Sequence, residues 1–227
     1  MKAIVQGFGS KPFLFENFIK NFDDIYIIEN NTNSYEEVER ELLKLFNSKK
    51  IDIFGWSLGS LYAMMFTLNN PDKVRSLFLT GATARFTEKE GYNNGISQKI
   101  VEKMLVLIKR KKEVVMRDFY NNVFKFVLEK EKIIDRLMLD LPVENILENG
   151  LKALLEYDIL DKLKNIKIPV LICNGIYDTI TPKENAIAIN RNILNSYLNL
   201  VEGGHCYFLE NEEDCVRLWK NFLSQIT

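Results

Sequence analysis

Histidine is nearly absent: the 227-residue chain has one, His205. Chemistry that needs an imidazole base therefore has a single place to occur. Cysteine is scarce as well. Cys173, Cys206 and Cys215 make an odd count with neither ligand-like nor framework spacing, which argues against a disulfide scaffold and fits a reduced, cytoplasmic compartment. No Cys/His cluster suits zinc and there is no dinucleotide-binding G-x-G-x-x-G, so no metal and no cofactor are expected. No apolar run approaches transmembrane length, and Ala3-Ile4-Val5 is too short for a secretory core, so no membrane partner is expected. A net charge of -1 gives no global attraction to nucleic acid.

What is present is ordinary in bulk, with 47% hydrophobic and 27% charged residues. That composition and length suit one large soluble α/β domain with a sizeable core.

The stretch with most chemical content is Gly55-Trp56-Ser57-Leu58-Gly59. It follows an apolar run, Ile51-Asp52-Ile53-Phe54, and precedes a helical run from Leu61. Strand, G-x-S-x-G, helix is the sequence form of a nucleophile elbow, with the serine exposed on a sharp turn and glycines where neighbouring backbone passes close. A serine nucleophile needs a base, a carboxylate to orient that base, and amides to hold an oxyanion.

Read in order, the chain alternates. Strands are expected at 3–5, 25–28, 51–54 and 74–79. Between them lie a helical segment from Pro12 carrying Phe15, Phe18, Ile19 and Phe22, a helix opened by the capping box Ser34-Tyr35-Glu36-Glu37 and ending near Lys49-Lys50, and the elbow helix, which stops before Pro71. Such alternation predicts a mostly parallel sheet with helices on both faces, whose sites lie beyond the carboxyl ends of the strands. From Thr83 to Leu160 the spacing becomes purely helical, as in Ile100, Met104, Leu107, Ile108. Residues 83–160 read as a helical lid inserted between core segments 1–82 and 161–227. The sheet resumes at Pro169–Gly175, a helix starts with Thr181 as N-cap and Pro182 in its first turn, a last strand covers 197–201, and an amphipathic helix closes the chain.

His205 stands in Gly203-Gly204-His205, just past the last strand, and Asp178 stands just past the strand before it. Isolated, a lone histidine is more often structural than catalytic, and Asp178 alone reads as a turn or cap residue. Together they give the order Ser57, Asp178, His205 expected of an α/β-hydrolase triad. Asp158 and Asp161 are weaker rivals because they precede the strand. The oxyanion donors expected are the amides of Leu58, after the nucleophile, and Phe8, in the loop after the first strand. Cys206 lacks an elbow of its own and reads as a packing residue.

Gly55-Trp56-Ser57-Leu58-Gly59-Ser60 is similar to the elbow of the carboxylesterases that cleave pimeloyl-ACP methyl ester in biotin synthesis, and the whole chain resembles the α/β-hydrolase fold. Gln6-Gly7-Phe8-Gly9 stands where that family reads H-G-W-G. The resemblance implies a Ser57–His205–Asp178 esterase working through an acyl-enzyme, Phe8 and Leu58 as oxyanion donors, and Trp56 and Phe8 against the acyl group. The lid carries Lys103, Lys109, Arg110, Lys111, Lys112 and Arg117. In that family basic lid residues meet the acidic acyl carrier protein, which makes these six possible carrier contacts; a solvated helix face and a CoA-phosphate contact stand as alternatives. Three further readings stay open. One is a menaquinone-pathway lyase, succinyl-hydroxycyclohexadiene carboxylate synthase, with a similar elbow and with arginines facing the serine. Another is a general small-ester or thioester hydrolase. The last is a hydrolase fold kept only for binding.

Overall fold

The computed structural model describes residues 1–28 and 30–226. Its centre is a six-stranded, wholly parallel sheet in the order β2-β1-β3-β4-β5-β6. The strands are β1 (Lys2–Val5), β2 (Ile25–Ile28), β3 (Ile51–Trp56), β4 (Val74–Thr80), β5 (Val170–Gly175) and β6 (Ser196–Val201). Interior strands β3 and β5 are buried at every position, which is why they read as continuous apolar runs. Edge strands β2 and β6 are only partly buried and carry exposed Tyr26 and Tyr197.

Side chains alternate along β3, and the alternation assigns its two faces. A Cβ on Gly55 would meet Ser60 and Ala63, so that face lies against α2 (Leu58–Asn69), after α1 (Tyr35–Leu45). Phe54 points the other way. It pairs in register with Phe78 and packs on Phe18, Phe208 and Trp219 with ring centroids 5.1 to 5.9 Å away. These aromatics form the centre of the core on the face opposite α2.

Four local expectations are corrected. The segment from Pro12 is two 3-10 turns, Pro12–Phe15 and Phe18–Asn21, rather than one α-helix. Phe15 closes the first turn and Phe18 opens the second, and both rings are buried in the core. Helix α1 ends at Leu45, short of Lys49-Lys50, because Phe46 is already extended and Ser48 is left-handed at φ 76°. The capping box is one-sided. Ser34 accepts from the amide of Glu37, but the Glu37 carboxylate turns to the amide and hydroxyl of Thr32, and the Ser34 amide donates to Asn30. The fourth correction concerns Thr181. After the insert described next, α6 (Lys183–Asn192) begins beyond Pro182 with no side-chain cap.

Between β4 and β5 lie α3 (Gln98–Val123), α4 (Lys130–Leu139) and α5 (Glu144–Glu156). Helix α3 kinks at Lys111, which has φ -144° and ψ 44°. The two ends of the insert are stapled together. Ile159 donates its amide to the Ala84 carbonyl at 3.1 Å, and Arg85 meets Asp158 both as a β-bridge and as an ion pair at 3.0 Å. The chain ends in the one-turn α7 (Tyr207–Glu210) and α8 (Glu212–Gln225). Among the described residues no helix is long and apolar enough to cross a membrane.

Candidate active site

Ser57 joins β3 to α2 with φ 56° and ψ -123°, a conformation a non-glycine residue holds only when its surroundings impose it. The imposing bonds are visible. The Ser57 amide donates to the Thr80 carbonyl at 3.0 Å, and the Ser57 carbonyl accepts from the Ser60 amide and hydroxyl. Gly59 explains why the pattern needs a glycine there: a Cβ would sit 2.1 Å from the Val5 carbonyl oxygen.

Asp178 lies in the turn after β5, buried. Its Oδ1 accepts the amides of Ile180 and Thr181 at 2.8 and 2.9 Å. Its Oδ2 accepts the Thr181 hydroxyl at 2.9 Å and lies 2.9 Å from Nδ1 of His205. The carboxylate is thus saturated and fixed in direction, and it sets Nδ1 as the protonated ring nitrogen. Nε2 is left with its lone pair, buried and without a partner among the described residues. His205 and Ser57 line the same small cavity of about 10 Å³ with Phe8, Ser10 and Tyr120. Asp158 is engaged elsewhere. Partial burial works against its charge, yet Lys89, the Leu160 amide and Arg85 hold its carboxyl below the usual range.

Trp56 is buried under the site, and its indole N–H donates to the His205 carbonyl at 2.9 Å. It borders the small cavity, and its only hydrogen-bonding group is spent on the histidine loop. Leu58 is the first residue of α2, where amides have no intrahelical acceptor. Among the described residues neither the Leu58 nor the Phe8 amide has a protein acceptor. Gln6 donates Nε2 to the Ile28 carbonyl at 3.0 Å and braces the loop after β1 against β2. From the insert, the buried Tyr120 hydroxyl donates to the Gly9 carbonyl at 2.6 Å. Cys206 is fully buried and burial pushes its thiol well up, so it is not a thiolate.

Beside the small cavity lies a larger apolar one of about 350 Å³, walled by Phe8, Met104, Phe119, Leu154 and Ile180, with Lys103 and Asp118 at its border. The Phe8 and Phe119 rings, edge to face at 5.3 Å, stand between the two. Of the six basic residues, Lys109 pairs with Glu148 at 3.4 Å and Arg117 with Asp135 at 3.1 Å. Arg110 and Lys111 are exposed and Lys112 half-buried, and none of the three forms a salt bridge among the described residues.

Thr181 and Tyr120 were not foreseen from sequence. Spacing hinted at the first, three residues past Asp178; a tyrosine on a helix distant in sequence gave no signal.

This geometry has relatives. A family model described as the alpha/beta hydrolase fold matches residues 24–212. The chain belongs to the alpha/beta hydrolase fold family. A pimeloyl-[acyl-carrier protein] methyl ester esterase of Neisseria meningitidis is 31% identical over 179 residues, which span 77% of this hydrolase and 70% of the relative. Among solved structures, an esterase from Exiguobacterium antarcticum matches with a TM-score of 0.88 at 21% identity, covering 98% of this hydrolase and 91% of that chain. MenH from S. aureus matches with a TM-score of 0.81 at 20% identity, covering 99% and 93%. At these identities the two structures speak for the fold alone.

Proposed function

We propose that this hydrolase is a serine carboxylesterase that removes the methyl group of pimeloyl-ACP methyl ester, working in the cytoplasm. The observation that carries the chemistry is the Asp178–His205 pair, whose Nε2 has no partner among the described residues and whose imidazole borders the cavity that Ser57 also lines. His205 Nε2 takes the Ser57 hydroxyl proton as Oγ attacks the ester carbonyl carbon. Asp178 stabilises the imidazolium. The Leu58 and Phe8 amides hold the oxyanion. The tetrahedral intermediate expels methoxide, which takes the proton from His205 and leaves as methanol. Water, deprotonated by the same imidazole, then attacks the acyl-enzyme and restores Ser57.

Residues 83–160 act as a lid over a core of 1–82 and 161–227, and the apolar cavity beneath α3 and α5 takes the acyl chain. Lys103, Arg110, Lys111 and Lys112 are the carrier contacts we favour, because Lys109 and Arg117 already have carboxylate partners. Three free, buried cysteines support a reduced compartment. The lyase reading is disfavoured by the linings: among the described residues no arginine borders either cavity, whereas a dianionic substrate calls for one.

The deciding measurement is methanol release from pimeloyl-ACP methyl ester by wild type and Ser57→Ala. Turnover should fall at least about 10³-fold in the variant. A variant that still turns over defeats the mechanism. Wild type that cleaves short p-nitrophenyl esters but not the carrier-bound ester, and fails to rescue a biotin auxotroph lacking its esterase, supports the general esterase reading instead.

A further inference from the structure

Glu210 closes α7, five residues beyond His205, and its side chain turns back onto the histidine loop. One carboxylate oxygen accepts the Gly204 amide at 2.5 Å and the other accepts the Cys206 amide at 3.2 Å. These are the amides on either side of His205. The carbonyl between them is the one that Trp56 holds at 2.9 Å. The main chain around the imidazole is therefore tied at three points, and two of them end on one carboxylate.

The glycines before His205 take on a specific meaning. A Cβ at Gly203 would lie 2.7 Å from one Glu210 oxygen, and a Cβ at Gly204 would lie 3.0 Å from the other. The carboxylate fills the space a Cβ at Gly203 would need, and at Gly204 it shares that space with the Phe126 ring, 2.5 Å from such a Cβ. Holding a charge there has a cost: burial raises the Glu210 carboxyl, while the Gly204 and Cys206 amides and His205 oppose that rise. An amide side chain would avoid the cost but bring one donor face to face with an N–H.

We propose that Glu210 is a positioning residue for His205. Its carboxylate fixes the backbone on both sides of the imidazole and adds a second negative charge that favours the imidazolium formed during attack. This rests on the triad reading above. The groups acting on the imidazole are then the Asp178 carboxylate, the Thr181 hydroxyl, the Trp56 ring and Glu210.

Because the chain has one histidine, its NMR titration reports this site alone. Active serines are counted with a fluorophosphonate probe, so that kcat refers only to folded sites. In Glu210→Gln, kcat on a short p-nitrophenyl ester should fall about tenfold with KM within about twofold, and the imidazole should titrate at lower pH. Glu210→Asp keeps the charge but reaches less far; it should keep the wild-type titration and lose less of kcat. A Glu210→Gln protein with lowered melting temperature but unchanged kcat per active serine and unchanged titration overturns the proposal. Ser57→Ala is run beside it. If that variant still hydrolyses, the triad reading itself has failed; if it is dead while Glu210→Gln is normal, only the role of Glu210 has failed.

Discussion

The loops at the carboxyl ends of β3, β5 and β6 and the three helices between β4 and β5 are held by different means. Around Ser57, Asp178 and His205 short-range hydrogen bonds fix most of the main chain and the Asp178 carboxylate, and among the described residues His205 Nε2 and the Leu58 and Phe8 amides are left open. Asp178 alone accepts three hydrogen bonds from its own turn before it meets the imidazole. The insert is attached by apolar packing and by scattered long-range bonds, such as Tyr120 to the Gly9 carbonyl and Asn149 to the Thr32 carbonyl. Helix α3 is kinked, and α4 buries Ile134 and Leu137 and adds the outer contacts Lys11–Asp140, Arg136–Glu16 and the Arg136 guanidinium over Phe13 at 4.0 Å. Bond making needs groups fixed to a fraction of an ångström, whereas admitting a substrate needs a cover that can part from what it covers.

Gly59→Ala tests the rigid side most severely. The new Cβ meets a backbone carbonyl that cannot turn aside without moving β1. A loss of about 3 kcal/mol or more, and a melting temperature lower by roughly 10 °C, is expected. An alanine variant as stable as wild type would mean the elbow has slack, and the contrast with the insert would weaken.

Leu154→Trp probes the other side. Leu154 comes from α5 and walls the apolar cavity. The larger ring should leave acetyl esters unaffected and raise KM for octanoyl esters about tenfold, an overpacking effect of about 1–3 kcal/mol. A flat response across an acyl-length series would remove the chain from this cavity.

How far the sequence carried the reading follows the same division. The elbow was legible because tight backbone geometry tolerates few residues: Gly55, Ser57 and Gly59 mark close approaches that no other side chains allow. The single histidine made its assignment a matter of elimination. The strands were legible because buried parallel strands are uninterrupted apolar runs. Thr181 was read as a helix cap, since a threonine before proline carries that signal locally; its hydroxyl instead serves Asp178 across the turn. Tyr120 acts through one side-chain bond to distant main chain and Glu210 through two to folded-back main chain, and such bonds leave no periodicity. The basic run on α3 was visible as composition, but its division into paired Lys109 and Arg117 and unpaired Arg110, Lys111 and Lys112 depends on where Glu148 and Asp135 fall on neighbouring helices.

The stem of the insert lies between the two regimes, and Asp158→Asn sharpens where the boundary runs. Arg85, on the entering strand of chain, and Asp158, on the leaving one, are both mostly shielded from water, and Lys89 joins them. A loss of about 1–2 kcal/mol is expected. Its pH dependence has a fixed sign. The Asp158 carboxyl is depressed in the folded chain, so its contribution is present above the unfolded carboxylate value of about 3.9 and disappears as pH falls through the folded value. The melting gap between wild type and variant should therefore be constant near neutrality and close below about pH 4. A gap that persists in acid would assign the contribution of Asp158 to contacts that do not need its charge, such as the hydrogen bond it accepts from the Leu160 amide.

The smallest effect belongs to the outer attachment of α4. Lys11 and Asp140 pair at 2.6 Å, but the Asp140 side chain is 82% exposed, and exposed pairs contribute under about 1 kcal/mol. Lys11→Met with Arg136→Met should hardly move the melting temperature. The double variant removes the charges that pair α4 with the segment after Gly9, so the insert should part from the core more readily. KM for octanoyl esters should change by about two- to threefold, kcat for acetyl esters should not, and the salt dependence of wild-type KM should flatten, since screening already weakens these pairs at high ionic strength. If the double variant instead loses kcat on acetyl esters, α4 is part of the rigid site, and Tyr120, which ties α3 to Gly9, would be the route by which the insert reaches the oxyanion loop.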